Sequence, residues 1–165
     1  PAPAPVAVDD TRAQQARADS IAAARAQQDA AERSRVAALA RVREELTDIV
    51  FFEYDSDQLT AETEGRLRSK AGILRANPGV QLRVEGHADE RGSTEYNLAL
   101  AQRRAETVRN FMSGYGIEAN RVGTLSYGKE RPLMEGTGES IWARNRRAEF
   151  VVTGGSISTI PPEVR

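Results

Sequence analysis

The chain has 165 residues, enough for one ordinary domain with an appendage and too few for two separate cores. Its 23 basic and 24 acidic residues leave a net charge of -1, which argues against broad nucleic-acid binding, since that wants a clear basic surplus. No cysteine is present, so disulfides, thiolate metal sites and thiol catalysis are excluded, and no stretch approaches the roughly 20 apolar residues that cross a bilayer as a helix.

Residues 1–46 form a first region. It starts at Pro1 without an initiator Met, which points to a processed or trimmed N-terminus. Pro-Ala-Pro-Ala-Pro favours an extended lead. From Asp10 a run of Ala, Gln, Arg and Asp without Gly or Pro predicts a long helix. Between Thr11 and Arg35 almost nothing larger than alanine is apolar, Ile21 excepted. Val36, Leu39, Val42 and Leu46 recur at roughly helical spacing, enough to dock the last turns. No heptad seam is sustained, so the region reads as a solvated helical spacer rather than a coiled coil.

Residues 47–153 read as globular. A short β-rich run spans residues 48–54. Thr60 caps a helix that carries Leu67, Ala71 and Leu74 on one face and stops at Asn77-Pro78. Val80, Leu82 and Val84 alternate with Gln81, Arg83 and Glu85, the period of a half-buried strand. Gly86 closes that strand and the polar loop His87–Gly92 follows. A helix over residues 94–112 puts Leu98, Ala101, Ala105 and Val108 on one face, and Gly114 and Gly116 end it. A strand at 122–127, a Gly-rich loop, a short helix at 141–145 and a strand at 148–152 complete the order β-α-β-α-β-α-β. That order predicts a two-layer α+β domain with helices packed on a small sheet. Residues 154–165, which follow Gly-Gly with Pro-Pro, read as a flexible tail.

The densest candidate site is the loop holding Asp89, Glu90 and Arg91. Arg104 lies fifteen residues beyond Asp89, on the helix that this loop introduces. If the loop folds over that helix, Asp89 and Arg104 face one pocket with opposite charges. Such a pair suits a zwitterion, the carboxylate accepting from an ammonium and the guanidinium gripping a carboxylate. Charges beside a turn are more often a solvated ion pair, and spacing alone leaves both readings open. Asn145-Arg-Arg147 reads first as surface salt bridges. His87 is the only histidine; it reads as a hydrogen-bonded structural residue, with too few ligand partners for a metal. Asp55 and Asp57 beside Ser56 read as a turn rather than an acid–base pair. No phosphate loop, nucleophile elbow or zinc-protease motif occurs. Neither an enzyme nor a cofactor is expected.

Five segments occur together, in order: Phe52-Glu-Tyr-Asp-Ser56, Glu85-Gly-His-Ala-Asp-Glu-Arg-Gly92, Tyr96-Asn-Leu-Ala-Leu-Ala-Gln-Arg-Arg-Ala105, Ser126-Tyr-Gly-Lys-Glu-Arg-Pro132 and Asn145-Arg-Arg147. On these the chain resembles the OmpA-like peptidoglycan-binding domain family, in its lipoprotein branch, over about residues 49–152. The resemblance implies a βαβαβ-type mixed sheet with helices on one face. It also implies non-covalent binding of meso-diaminopimelate in the peptidoglycan stem peptide. Asp89 would take the ligand's ammonium and Arg104 its carboxylate. Asp55 and Ser56 would line the groove, Leu100 and Ala101 would sit at the helix turn nearest the peptide, and Asn145 and Arg147 would border it. Ala101 stands where the family often has Ser, and Glu53 where Asp is usual.

The implied role is a tether of the outer membrane to the wall, on its periplasmic face, with TolB and other Tol proteins as partners. Lipoproteins of this family carry an acylated cysteine, which is expected before Pro1. Three rivals remain: the anchoring domain of another OmpA-like outer-membrane or stator protein, a wall hydrolase using Asp89 and Glu90, and a helical adaptor in which the Ala-rich region does the binding.

Overall fold

The computed structural model describes residues 7–162; the Pro/Ala lead before them lies outside the described residues. Helix α1 spans Ala7–Thr47. Two compact units divide the chain, residues 1–38 and 39–165. Within the first, the described side chains of α1 are exposed up to Val36, as a run of alanine and charged residues dictates. The second begins with the last turns of α1, where Val42 and Leu46 are fully buried and Leu39 partly so. Val36, expected to dock with them, is 54% exposed.

The remaining elements are β1 (Val50–Phe51), α2 (Ala61–Ala76), β2 (Gln81–His87), α3 (Thr94–Gly114), β3 (Val122–Gly128), α4 (Glu139–Asn145) and β4 (Arg147–Gly154). Thr60 caps α2 by accepting from the Thr63 amide, and Ser93 caps α3 through the Tyr96 amide. The first strand is shorter than the β-rich run suggested. Its pairing with β4 covers only Val50 and Phe51, and the loop that follows passes through the left-handed region at Asp55 (φ 51°).

The sheet order is β1-β4-β2-β3. β2 and β3 are parallel and joined through α3, the crossover that parallel pairing requires. β4 returns antiparallel between β2 and β1. Leu82, Val84 and Gly86 share one face with their partners Val152, Phe150 and Ala148. That face meets α2 (Leu67, Ala71, Leu74) and α3 (Ala105, Val108, Met112) in one core. Leu98, expected on the same helical face, is 40% exposed, because α3 passes the end of the sheet there and Leu98 rests on Gly128.

The seam at the end of α1 is unusual. The buried Lys70 ammonium donates to the carbonyls of Glu45 (2.7 Å) and Leu46 (3.0 Å), which the helix end leaves without partners, and to that of Asp48 (2.7 Å) just beyond the helix. Burial pushes its pKa down to about 7, opposed by Asp48 and Glu45.

The segment after Gly154 reads as loose in the sequence, yet within its described part, up to residue 162, Ile157 and Ile160 pack against the domain. Gly155 (φ 75°) turns the chain over Gly79, and Ile157 enters the core. The Asn77 side chain then accepts from the Ser158 and Thr159 amides, each at 2.9 Å, and donates to Thr159 O. An Asn read as a helix stop therefore also ties down the C-terminal segment.

Candidate functional site

At the end of β2 the chain leaves the sheet between Gly86 and Ser93, and the loop folds back over the first turns of α3. This brings Asp89 and Arg104 to one pocket of about 140 Å³, lined also by Tyr54, Asp55, Ala88, Arg91, Gly92, Tyr96, Asn97 and Leu100. Asp89 is 4% exposed and Arg104 1%. A larger cavity of about 430 Å³ lies between β1, the start of α2 and α4, but it contains no such buried pair of opposite charges.

Arg104 is fixed by backbone. Its Nε donates to Ser56 O (2.8 Å), Nη1 to His87 O (2.9 Å) and Nη2 to Glu53 O (3.1 Å). A guanidinium has five N–H donors, so these three bonds leave it capacity for a further acceptor. Burial pushes its pKa down to about 10, Arg146 adds to that, and Asp89, Asp57 and Asp55 oppose it. It remains a cation at neutral pH.

Asp89 Oδ1 accepts from the Arg91 amide (3.0 Å) and Arg91 Nε (3.2 Å), and Oδ2 from Arg91 Nη2 (2.8 Å). Arg146 Nη1 stands 3.9 Å from Oδ2. Burial alone would raise the Asp89 pKa, but the Arg91 hydrogen bonds and charge, with Arg146, hold it below the usual carboxylate range. The Arg91 guanidinium is sandwiched between the rings of Tyr54 (3.9 Å) and Trp142 (4.0 Å). Trp142 Nε1 donates to Glu90 Oε1 at 3.1 Å.

Of the other residues singled out in the sequence, Asp55 and Leu100 line the pocket. Asp55 accepts from the Tyr96 hydroxyl. Ser56 does not line it; its carbonyl holds Arg104, and its hydroxyl accepts from the Gln58 amide. Ala101 is fully buried one turn before Arg104, its carbonyl against Gly86. Asn145 and Arg147 lie outside the lining. Asn145 Oδ1 accepts from the amides of Leu133 (2.7 Å) and Met134 (3.0 Å), and Arg147 donates to Arg131 O (2.9 Å), so both shape the loop before α4.

Sequence reasoning missed Tyr54, Tyr96, Asn97, Trp142 and Arg146 as parts of the site. Arg146 sits between two residues that were singled out, and its order along the chain gave no hint that it is the one facing Asp89. It is held by Glu139 (2.8 Å) and Phe52 O (2.9 Å).

On the other sheet face Glu85 and Glu149 are register partners beside His87, and ligand atoms of the three lie within 4.8 Å of one another. Each carboxylate already has an arginine, Arg83 at 2.7 Å from Glu85 and Arg147 at 3.2 Å from Glu149. The group is therefore a neutralised salt-bridge cluster rather than a vacant cation site. His87 was expected to be hydrogen-bonded; it is buried, but neither ring nitrogen has a partner of good geometry among the described residues. Its Nε2 lies 3.4 Å from Glu149 Oε2, and its ring stacks on Tyr127.

Comparison with known proteins gives a consistent picture. The family model described as OmpA family matches residues 51–146. The peptidoglycan-associated lipoprotein of Brucella melitensis is 44% identical over 107 residues, 65% of this chain and 64% of that protein. That of Agrobacterium fabrum is 44% identical over 110 residues, 67% and 62% of the two chains. The chain thus spans less than two thirds of the length of these relatives. Among solved structures, the peptidoglycan-associated lipoprotein of Burkholderia pseudomallei is 39% identical with a TM-score of 0.62, covering 64% of this chain and 89% of its own. The C-terminal domain of Helicobacter pylori MotB is 25% identical with a TM-score of 0.60, covering 64% and 84%. The matched residues begin in β1 and end at Arg146, and include both Asp89 and Arg104.

Proposed function

This chain belongs to the OmpA family, and from that premise we propose that it binds peptidoglycan without cleaving it, through the meso-diaminopimelate residue of the stem peptide. The observation that carries this reading is the pairing of two buried, oppositely charged groups in one small pocket. Asp89 takes the ammonium of the ligand's zwitterionic end and Arg104 takes its carboxylate. Ser56 holds the Arg104 guanidinium through its carbonyl, and Asp55 and Leu100 shape the walls. Ala101 sets the spacing of helix and sheet, while Asn145 and Arg147 hold the bordering loop. The names of the lipoprotein relatives support a wall ligand.

The wider role proposed is that of a tether on the periplasmic face of the outer membrane, within the Tol-Pal system. A lipid on a segment preceding Pro1 would supply the membrane end, and α1 the spacer. Among the described residues no helix is long and apolar enough to cross a membrane. Modest single-site affinity suffices, because many copies on one membrane facing a polymeric wall gain by avidity. TolB is expected to compete with the wall for the pocket face.

The test is co-sedimentation with diaminopimelate-type sacculi. Wild type should pellet, while Asp89→Asn and Arg104→Lys, shown folded by circular dichroism, should stay in solution. Sedimentation of both variants as efficiently as wild type would rule out the charge-pair grip. Release of soluble muropeptides by wild type would replace the tether with a hydrolase.

A further inference from the structure

The Asp89 carboxylate, offered above to a ligand's ammonium, is already engaged by a cation of this chain. One residue, Arg91, makes three hydrogen bonds to it, two from the guanidinium and one from the amide. A carboxylate has about four acceptor positions, and the remaining approach is shared with Arg146, 3.9 Å away. Arg146 is immobilised by Glu139 and by Phe52 O. An ammonium added beside both arginines would place three cations on one carboxylate, with Arg104 in the same pocket. At contact distance in a partly dry site such repulsion is large.

The two arginines differ in how easily they can leave. The side chain of Arg146 is 6% exposed; that of Arg91 is 29% exposed and enters from the rim, between Tyr54 and Trp142. Its amide bond to Asp89 Oδ1 does not depend on where the side chain goes. The carboxylate can thus stay oriented while the guanidinium departs.

We propose that Arg91 is a built-in competitor for the ligand's ammonium, so that stem-peptide binding is an exchange of one cation for another on Asp89. The inference rests on the peptidoglycan reading above. Exchange sharpens selection. A ligand must supply an ammonium good enough to expel a forked, ring-stacked guanidinium, and a carboxylate for Arg104 that offsets the loss. A simple amine supplies only the first. Tyr54 and Trp142 set the threshold, because their stacking is surrendered when Arg91 swings out.

The experiment uses a soluble muropeptide containing meso-diaminopimelate, titrated into wild type, Arg91→Ala and Arg91→Lys by calorimetry and by tryptophan emission. Trp142 is the only tryptophan in the chain, so emission reports on the Arg91 stack. Under exchange, Arg91→Ala binds about tenfold tighter, which corresponds to roughly 1.4 kcal/mol, and Arg91→Lys falls between. Wild-type emission shifts on saturation toward that of free Arg91→Ala, whose own emission barely moves. Equal or weaker binding by Arg91→Ala, or unshifted emission of saturated wild type, overturns the exchange while leaving the peptidoglycan reading intact. Absence of binding by all three proteins overturns both.

Discussion

A β-carbon placed on Gly86 would lie 1.8 Å from the carbonyl oxygen of Ala101, so strand β2 and helix α3 touch there backbone to backbone. Asp89 follows Gly86 by three residues, and Arg104 follows Ala101 by three. The contact is therefore the common reference from which both charged groups are placed. Gly86→Ala should push α3 away from the sheet and cost more than about 3 kcal/mol, above the usual range for an added methyl because backbone is the obstacle. Urea unfolding measures this, and a loss under about 1 kcal/mol would show that α3 yields.

The pocket's charge arrangement predicts ligand selectivity. A lysine-type stem peptide retains the ammonium but gives Arg104 no carboxylate. A diaminopimelate whose carboxylate is amidated removes the charge while keeping the shape. Both should bind at least about tenfold more weakly than meso-diaminopimelate peptide, since an unmatched buried cation costs more than about 1.4 kcal/mol. Calorimetry with the three peptides decides the matter, and equal affinities would remove Arg104 from the ligand.

His87 predicts a pH dependence of stability. Burial and the nearby Arg147 push its pKa down from 6.5 to about 4. As pH falls, the unfolded chain takes up this proton before the folded chain does. The stability linked to His87 is therefore fully present above about pH 6.5 and lost as pH falls to about 4, a total of about 3 kcal/mol. His87→Gln should show a shallower fall across that window by thermal melting. Asp89 is also held low by Arg91 and Arg146, but that contribution is common to both proteins and drops out of the comparison. Parallel curves would show that His87 keeps its ordinary pKa in the fold.

Asn77 predicts a local effect. Its side chain accepts from the amides of Ser158 and Thr159 and donates to Ile73 O and Thr159 O. Asn77→Ala should expose those two amides to exchange while the β2 and β4 amides stay protected, and lower global stability by about 2 kcal/mol. Unchanged protection at Ser158 and Thr159 would mean that Ile157 alone holds the segment.

Much of this architecture was legible in the sequence. Thr60 and Asn77 bracket α2, and the alternation from Val80 to Glu85 marks β2, because caps and periodicity are local signals. The Asp89–Arg104 juxtaposition was legible as a possibility, since a loop that turns into a helix can fold back on it. The Tyr54–Arg91–Trp142 stack was not. Its members come from three segments up to 88 positions apart, and nothing local to Tyr54 or Trp142 distinguishes a stacking ring from an ordinary half-exposed aromatic. Arg146 and Arg147 show a similar limit. Adjacent strand-entry residues point to opposite sides, and composition does not say which side Asp89 occupies. The burial of Ile157 was not legible, because one apolar residue between Gly-Gly and Pro-Pro carries no periodic signal.

Lys70 has a mechanical consequence. In the proposed tether, tension would travel down α1 and enter the wall-gripping body at residues 45–48, where one ammonium holds three carbonyls at once. Bonds that converge on a single atom share a pull, whereas bonds opened in sequence yield one after another. The link therefore has two places at which it can fail under load, the grip on the wall and this seam. Lys70→Met should lower the rupture force of the second without changing equilibrium affinity at the first.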